Sequence, residues 1–384
     1  MRSSSRRATG AIASASEAVP KGYRVLYEFK CAPDGNGPLG GVAVDAAGDI
    51  FGTTSQGGAI DYGAVYELKP SGQSYTESIV HSFDINDGYY PVAAPIVDQD
   101  GNIFVTAKQG GTYNQGTAME LSPSGSGYSV TALYSFGSGT DGQAPSAPFL
   151  EQGTTLYTTT QYGGANGQGT AVAFSASGLT ETGLISFGGT IGAQPEAGMV
   201  ADASGTLYGT TSTGGSTAYG TVYTIVPSNG FTSAELLFTF PGGSAGGGGP
   251  NSLLLDSSGD IFGASIVGGV GYNGDVYELT PGNSGYRESI LHAFNGPPDG
   301  SHPYSGLALI DNLLYGTTGG GGTNSDGAIY RISASGSRYK VVHDFNSRNG
   351  GGPGFGTLTP SGGALYGAAN GGGKNCGVVF RYVP

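Results

Sequence analysis

The sequence predicts an all-β, seven-bladed β-propeller, and three observations carry that prediction. An aromatic residue recurs at Phe51, Phe104, Tyr157, Tyr208, Phe262, Tyr315 and Tyr366, at intervals of 51 to 54 residues. A glycine pair follows each aromatic, from Gly57-Gly58 in the first copy to Gly372-Gly373 in the last. A further glycine then opens an apolar run at Gly63, Gly116, Gly169, Gly220, Gly274, Gly327 and Gly377. Self-similarity at a fixed period of this size marks a repeat architecture. Short runs of Val, Ile, Tyr, Phe and Thr between Gly, Asp, Asn, Ser and Pro clusters make the repeating unit a set of strands and tight turns.

The repeat from Pro91 to Phe136 shows the elements in order. Strand A is expected over Pro91 to Asp98, B over Asn102 to Ala107, C over Gly116 to Ser122 and D over Tyr128 to Phe136. Asp98 to Gly101 and Pro123 to Gly127 supply the Asx and glycine chemistry of short hairpin connections. Four antiparallel strands repeated radially are propeller blades, and closing the ring removes exposed sheet edges. Residues 21–384 are therefore read as one propeller. Tyr23 to Phe29 matches strand D of the other repeats, while the seventh copy stops after strand C at Val383, so the first strand is expected to complete the last blade.

That exchange brings the two cysteines together. Cys31 follows the end of the completing strand and Cys376 precedes the start of its antiparallel neighbour. A disulfide between them would staple the ring and imply an oxidising compartment, extracellular or periplasmic; two unpaired buried thiols are the alternative. Residues 1–20 carry Arg2, Arg6 and Arg7 but only Ile12 and Val19 as sizeable apolar residues between Ala8 and Val19. This is too weak an apolar core for a signal peptide, and the segment reads as a disordered tail or export-signal remnant.

Composition narrows the partners. With a formal net charge of -13 and only 15 Lys and Arg, the chain would repel a phosphate backbone, which excludes nucleic acid as an expected partner. No apolar run reaches the roughly 20 residues of a membrane-spanning helix. No His and Cys cluster has zinc-site spacing, and neither a metal nor a cofactor is expected. A monomer is expected.

The pattern at Leu207-Tyr208-Gly209-Thr210-Thr211, then Gly214-Gly215, then Gly220-Thr221-Val222-Tyr223, resembles the GloVer tandem-repeat family of bacterial proteins. The resemblance covers nearly everything from Tyr23 to Pro384. It implies propeller blades on extracellular proteins with varied C-terminal anchors, none of which follows Pro384 here, and it implies no shared catalytic residue.

The D-to-A and B-to-C loops are expected on one face, the usual ligand-binding side of a propeller. An Asp-Gly-x-x-Pro turn enters strand A at Asp34, Asp87, Asp141 and Asp299, which is ordinary Asx-turn chemistry. His81, His292 and His343 share one strand D position and read as packing residues. His302, in a long-loop turn beside Asp299 and Tyr304, is the foremost acid-base or ligand candidate, with Glu196 after Pro195 as a partner across the channel mouth. Tyr89, Tyr90, Tyr162, Arg348 and Lys374 complete the candidate set on that face. Exposed tyrosines near carboxylates suit sugars, because rings stack on apolar sugar faces while carboxylates bond hydroxyls.

Two functions follow as expectations. One is an exported binding or interaction module for carbohydrate or another cell-surface polymer, with protein as a further partner class. The other is a polysaccharide lyase or glycoside hydrolase using His302, Glu196, Asp299 or Tyr304.

Overall fold

The computed structural model describes residues 21–384 apart from Gln73 and Val270; the expected tail at residues 1–20 lies outside the described residues. Seven antiparallel sheets are arranged as a seven-bladed propeller. Blades 1 to 6 span residues 42–82, 96–135, 150–186, 200–239, 254–293 and 308–344, and blade 7 combines residues 359–383 with 22–28. The closing strand is Gly22–Glu28, paired antiparallel with Val378–Val383 from Gly22 opposite Val383 to Glu28 opposite Val378. Cys31 and Cys376 are disulfide-bonded beside it, with 5.3 Å between their Cα atoms.

Strand A is shorter than the sequence predicts. In blade 2 only Ile96–Val97 pairs with strand B, Ile103–Ala107. Pro91 and Pro95 have no N–H to donate to a ladder, and the carbonyl of Ala93 is taken by the Thr53 hydroxyl of the preceding blade, 2.8 Å away. The hairpin from C to D is tighter than expected: Thr117–Ser124 and Gly127–Ser135 leave only Gly125 and Ser126 as the turn. Pro123 is tolerated inside strand C because strand B ends opposite Leu121, leaving one side of the strand unpaired there.

The core is divided among the gaps between blades, each holding its own buried apolar cluster. The Phe that ends strand D is buried in all seven blades. In four gaps its ring meets a strand C tyrosine of the next blade, as Phe240 meets Tyr277 at 4.9 Å and Phe29 meets Tyr66 at 5.0 Å across the ring closure. These are edge-to-face or tilted geometries that aromatic quadrupoles favour.

Glycine and proline of the repeat interlock between blades. The glycine opening strand C has a left-handed φ of 88° to 102° in every blade. Its carbonyl accepts the amide of its own blade's closing Phe, as in Phe240 to Gly220 at 3.1 Å. A Cβ at that position would lie 2.5 to 2.9 Å from Cδ of the next blade's turn proline in five blades, and closer at Gly116 and Gly377. Only glycine permits both the backbone handedness and this approach.

The turns that precede blades 1, 2, 3 and 6 are tied to the strand D before them. Tyr27 and Tyr134 donate their hydroxyls to Asp34 and Asp141 at 2.9 and 3.1 Å, while His81 and His292 share hydrogen bonds with Asp87 and Asp299 at 2.8 and 3.0 Å. Where the turn instead begins with Ile191 or Gly246, strand D carries Ile185 or Phe238. The histidines do pack, His292 on Tyr339 and His343 on Tyr23 at 3.6 and 3.7 Å between stacked rings. Their hydrogen bonds to the turns are the added feature that the packing expectation lacked.

At the ring closure this tie is sensitive to pH. Burial, reinforced by the neighbouring Asp34 carboxylate, pushes Glu77 up from 4.5 to about 7. A carboxyl whose folded value is raised contributes stability that is fully present below 4.5 and lost as the pH rises through about 7. Because Glu77 is only half-buried, solvent screening reduces the effect to about 1 kcal/mol. Glu77→Gln is expected to flatten the fall in unfolding free energy between pH 5 and pH 8 by that amount; an unchanged pH slope would refute the assignment.

Candidate functional site

A cavity of about 710 Å³ runs along the ring axis, with residues from all seven blades in its wall. The threonines of the repeat place that wall. Thr53, Thr106, Thr159 and Thr210 each donate to a carbonyl just beyond the next turn's proline, at Ala93, Ala147, Ala197 and Asn251, over 2.8 to 3.2 Å. At the ring closure a strand A threonine, Thr359, donates instead to the Val42 carbonyl in strand A of blade 1. The segments entering blades 2 to 5 are thereby fixed at the channel while their side chains remain free to vary.

Two concentric rings result. The outer ring is the residue before each turn proline: Gly37, Tyr90, Ala144, Gln194, Gly249, His302 and Gly352. All seven are left-handed, with φ from 52° to 68°. Glycine fits that conformation without strain, whereas a Cβ costs about 1 to 2 kcal/mol. Tyr90, Ala144, Gln194 and His302, in blades 2, 3, 4 and 6, are held there despite that cost. The inner ring is the residue after each proline, and Leu39, Val92, Ser146, Glu196, Asn251 and Tyr304 all line the cavity.

Of the acid-base candidates, Glu196 and Tyr304 share the channel wall, in blades 4 and 6. His302 is half-buried on the outer ring and does not line the cavity; its ring lies nearly parallel to that of Tyr304 with 6.2 Å between centroids. Asp299 points elsewhere, accepting from Tyr339 at 2.5 Å and from the Asn295 amide at 3.1 Å besides its bond with His292. Burial raises its carboxyl, but the bonds from His292 and Tyr339 outweigh that and hold it below the usual range. Glu196 shows the reverse balance: burial raises its carboxyl although the Lys108 ammonium opposes the shift, and Gln161 donates an amide hydrogen bond to it.

Among the binding candidates, Tyr90 lines the mouth of the cavity and is 37 % exposed. Tyr89 packs its ring 5.1 Å from that of Tyr62 and donates its hydroxyl to Asn114 at 3.3 Å. Tyr162 is exposed at the end of strand B in blade 3, and Arg348 and Lys374 are exposed on the loops that flank the ring closure. None of these three lines the cavity. Lys108 and Phe355 do line it and were not singled out from the sequence. The Phe355 ring lies 5.1 Å from that of Tyr304, giving the mouth an aromatic pair opposite Glu196. The signal that could have found the inner ring is its variability: the residue after each turn proline differs in all seven repeats while the proline stays.

The described residues contain no helix long and apolar enough to cross a membrane. The fold is shared with the extracellular domain of BT4673 from B. thetaiotaomicron, described as part of a one-component system, at 12% identity and a TM-score of 0.59. That alignment covers 93% of this chain and 39% of the other, so the present chain spans about two fifths of that protein's length. BamB from Moraxella catarrhalis is similar at 13% identity and a TM-score of 0.52, covering 90% of this chain and 85% of its own. At such identities the likeness establishes the propeller alone. Among curated proteins no sequence match emerges. The Gloeobacter/Verrucomicrobia repeat matches residues 3–136, 38–259 and 249–384, and on that coverage the chain belongs to the Gloeobacter/Verrucomicrobia repeat family.

Proposed function

We propose that the protein is an exported propeller module that binds carbohydrate or another cell-surface polymer at the channel mouth. The observation that carries this reading is the outer ring, where Tyr90, Gln194 and His302 occupy left-handed positions that favour glycine. Backbone strain kept at a rim of exposed and half-buried side chains is what a binding surface retains. Tyr90, Tyr304 and Phe355 offer ring faces, and Glu196, Lys108 and Asn251 offer hydrogen-bonding groups in the same wall. Few polar groups set among apolar and aromatic surface is the usual make-up of a small-ligand site. The Cys31–Cys376 disulfide supports export, as does the likeness to a domain that is itself extracellular.

The raised Glu196 carboxyl in a wall shared with Tyr304 favours one second reading, a polysaccharide lyase or glycoside hydrolase. Glycan-array binding run beside a product assay on the same polysaccharides separates the two. Tyr304→Ala is expected to weaken binding about tenfold or more, the loss of one stacking partner. His302→Gly is expected to weaken binding while leaving stability unchanged or up to about 1 kcal/mol higher, since the left-handed strain is relieved. A clear loss of stability in that variant would show that His302 serves packing, and product formation abolished by Glu196→Gln would establish the enzyme.

A further inference from the structure

Blade 5 departs from the repeat at one buried point. The residue that follows the strand C glycine is Thr117, Thr170 and Thr221 in blades 2 to 4. Thr117 and Thr221 donate their hydroxyls to the carbonyl of the first turn residue, Asp87 and Ile191, at 2.7 and 2.5 Å. Blade 5 has Asp275 instead, fully buried. A carboxylate accepts and cannot donate, so an acceptor now faces the corresponding Gly246 carbonyl.

The polar side-chain atoms that meet at this point are oxygens. Asp275 lies opposite Ser265 across the ladder; neither carboxylate oxygen nor the Ser265 hydroxyl meets a partner in full hydrogen-bonding geometry, although the nearby Ser265 hydroxyl opposes the rise of the Asp275 carboxyl. Gly247 and Gly268, paired across the neighbouring ladder, leave their Cβ positions empty beside these atoms. A Cβ at Gly247 would meet Ser265 Oγ and lie 3.2 Å from Asp275 Oδ1; one at Gly268 would lie 3.1 Å from Oδ2 and 2.5 Å from the Gly246 carbonyl. Glu288 closes the same turn, accepting the Gly247 amide at 3.0 Å in the role that Asp34 and Asp141 play for Gly35 and Gly142. Burial and then the Glu288 charge push the Asp275 carboxyl up to about 8. Neither Asp275 nor Glu288 forms an ion pair with a basic side chain among the described residues.

We propose that a hard cation of the calcium class occupies this cradle, bound by the Asp275 carboxylate, the Ser265 hydroxyl and the Gly246 carbonyl, with Glu288 as the second charge. Oxygen-only donors with carboxylates select such ions over softer metals. Among the described residues no three His, Cys, Asp or Glu side chains cluster, so the centre depends on its hydroxyl and backbone oxygens. A divalent ion would answer both carboxylates at once.

Thermal unfolding of the full chain at neutral pH, after EDTA and then with excess calcium chloride, tests this directly. The expected result is a rise in Tm of about 5 °C in the wild type. Asp275→Thr copies the residue of three other blades and is expected to fold and to lose that rise; Asp275→Asn should lose it too. A wild-type Tm that calcium, magnesium and sodium leave unmoved overturns the proposal, and so does a calcium response that survives in both variants. Stabilisation by acid alone, abolished in Asp275→Thr, would overturn it in favour of a proton.

Discussion

Alanine at Gly220 is expected to destabilise the protein by more than about 3 kcal/mol, or to prevent folding, while alanine at Gly205 in the same blade costs about 1 kcal/mol. Both glycines are left-handed, with φ of 94° and 84°. At Gly205 a Cβ would enter open space. At Gly220 it would strike the Thr211 carbonyl of its own blade and lie 2.8 Å from Pro250 Cδ of the next. The obstacle is backbone on one side and a rigid ring on the other, so no rotamer change relieves it. The Gly220 carbonyl also holds the Phe240 amide, coupling any displacement to a fully buried core residue. Denaturant midpoints of the two variants provide the comparison. Equal midpoints would mean that the handedness alone sets the cost and that the interlock with Pro250 contributes nothing.

Removing the Cys31–Cys376 disulfide is the second large effect. The bond spans 345 residues of sequence and closes the seam where Gly22–Glu28 completes blade 7. Loop-closure entropy for so long a span gives an upper figure of about 5 kcal/mol. The seam also holds contacts that do not depend on the bond: Phe29 and Tyr66 are buried in the shared cluster, and the Phe29 amide bonds the Gly377 carbonyl at 3.0 Å. The Cys31→Ser, Cys376→Ser double variant is therefore expected to fold with a lowered Tm. Unfolding is expected to begin at blades 7 and 1, detected as early loss of hydrogen-exchange protection in residues 22–28. Uniform loss of protection around the ring would contradict the seam as the weak point, and an unchanged Tm would contradict the entropic account.

The ring was readable from residues that recur. Gly63 and its six equivalents, the closing phenylalanines and the turn prolines mark blade after blade, because each performs the same local task in the same backbone geometry. The match of Tyr23 to Phe29 with a strand D was enough to predict the closure, and closure in turn placed Cys31 beside Cys376. The length of strand A was not readable. The Ala93 carbonyl bonds Thr53, forty residues earlier, and no pattern within the segment announces that partner.

The candidate site divides in the same way. Tyr90, Glu196, His302 and Tyr304 stood out as departures from the repeat, and the prolines beside all four already implied the channel mouth. That Asp299 turns to His292 and Tyr339, while Lys108 and Phe355 enter the wall, depended on contacts between blades. The sequence alone thus determined the fold, the number of blades and where the ring is sealed, since those rest on periodic, local requirements. Only the tertiary structure decided which side chains share the channel. A non-glycine residue does not advertise a left-handed φ, and that φ sets where the side chains of Tyr90, Gln194 and His302 are carried.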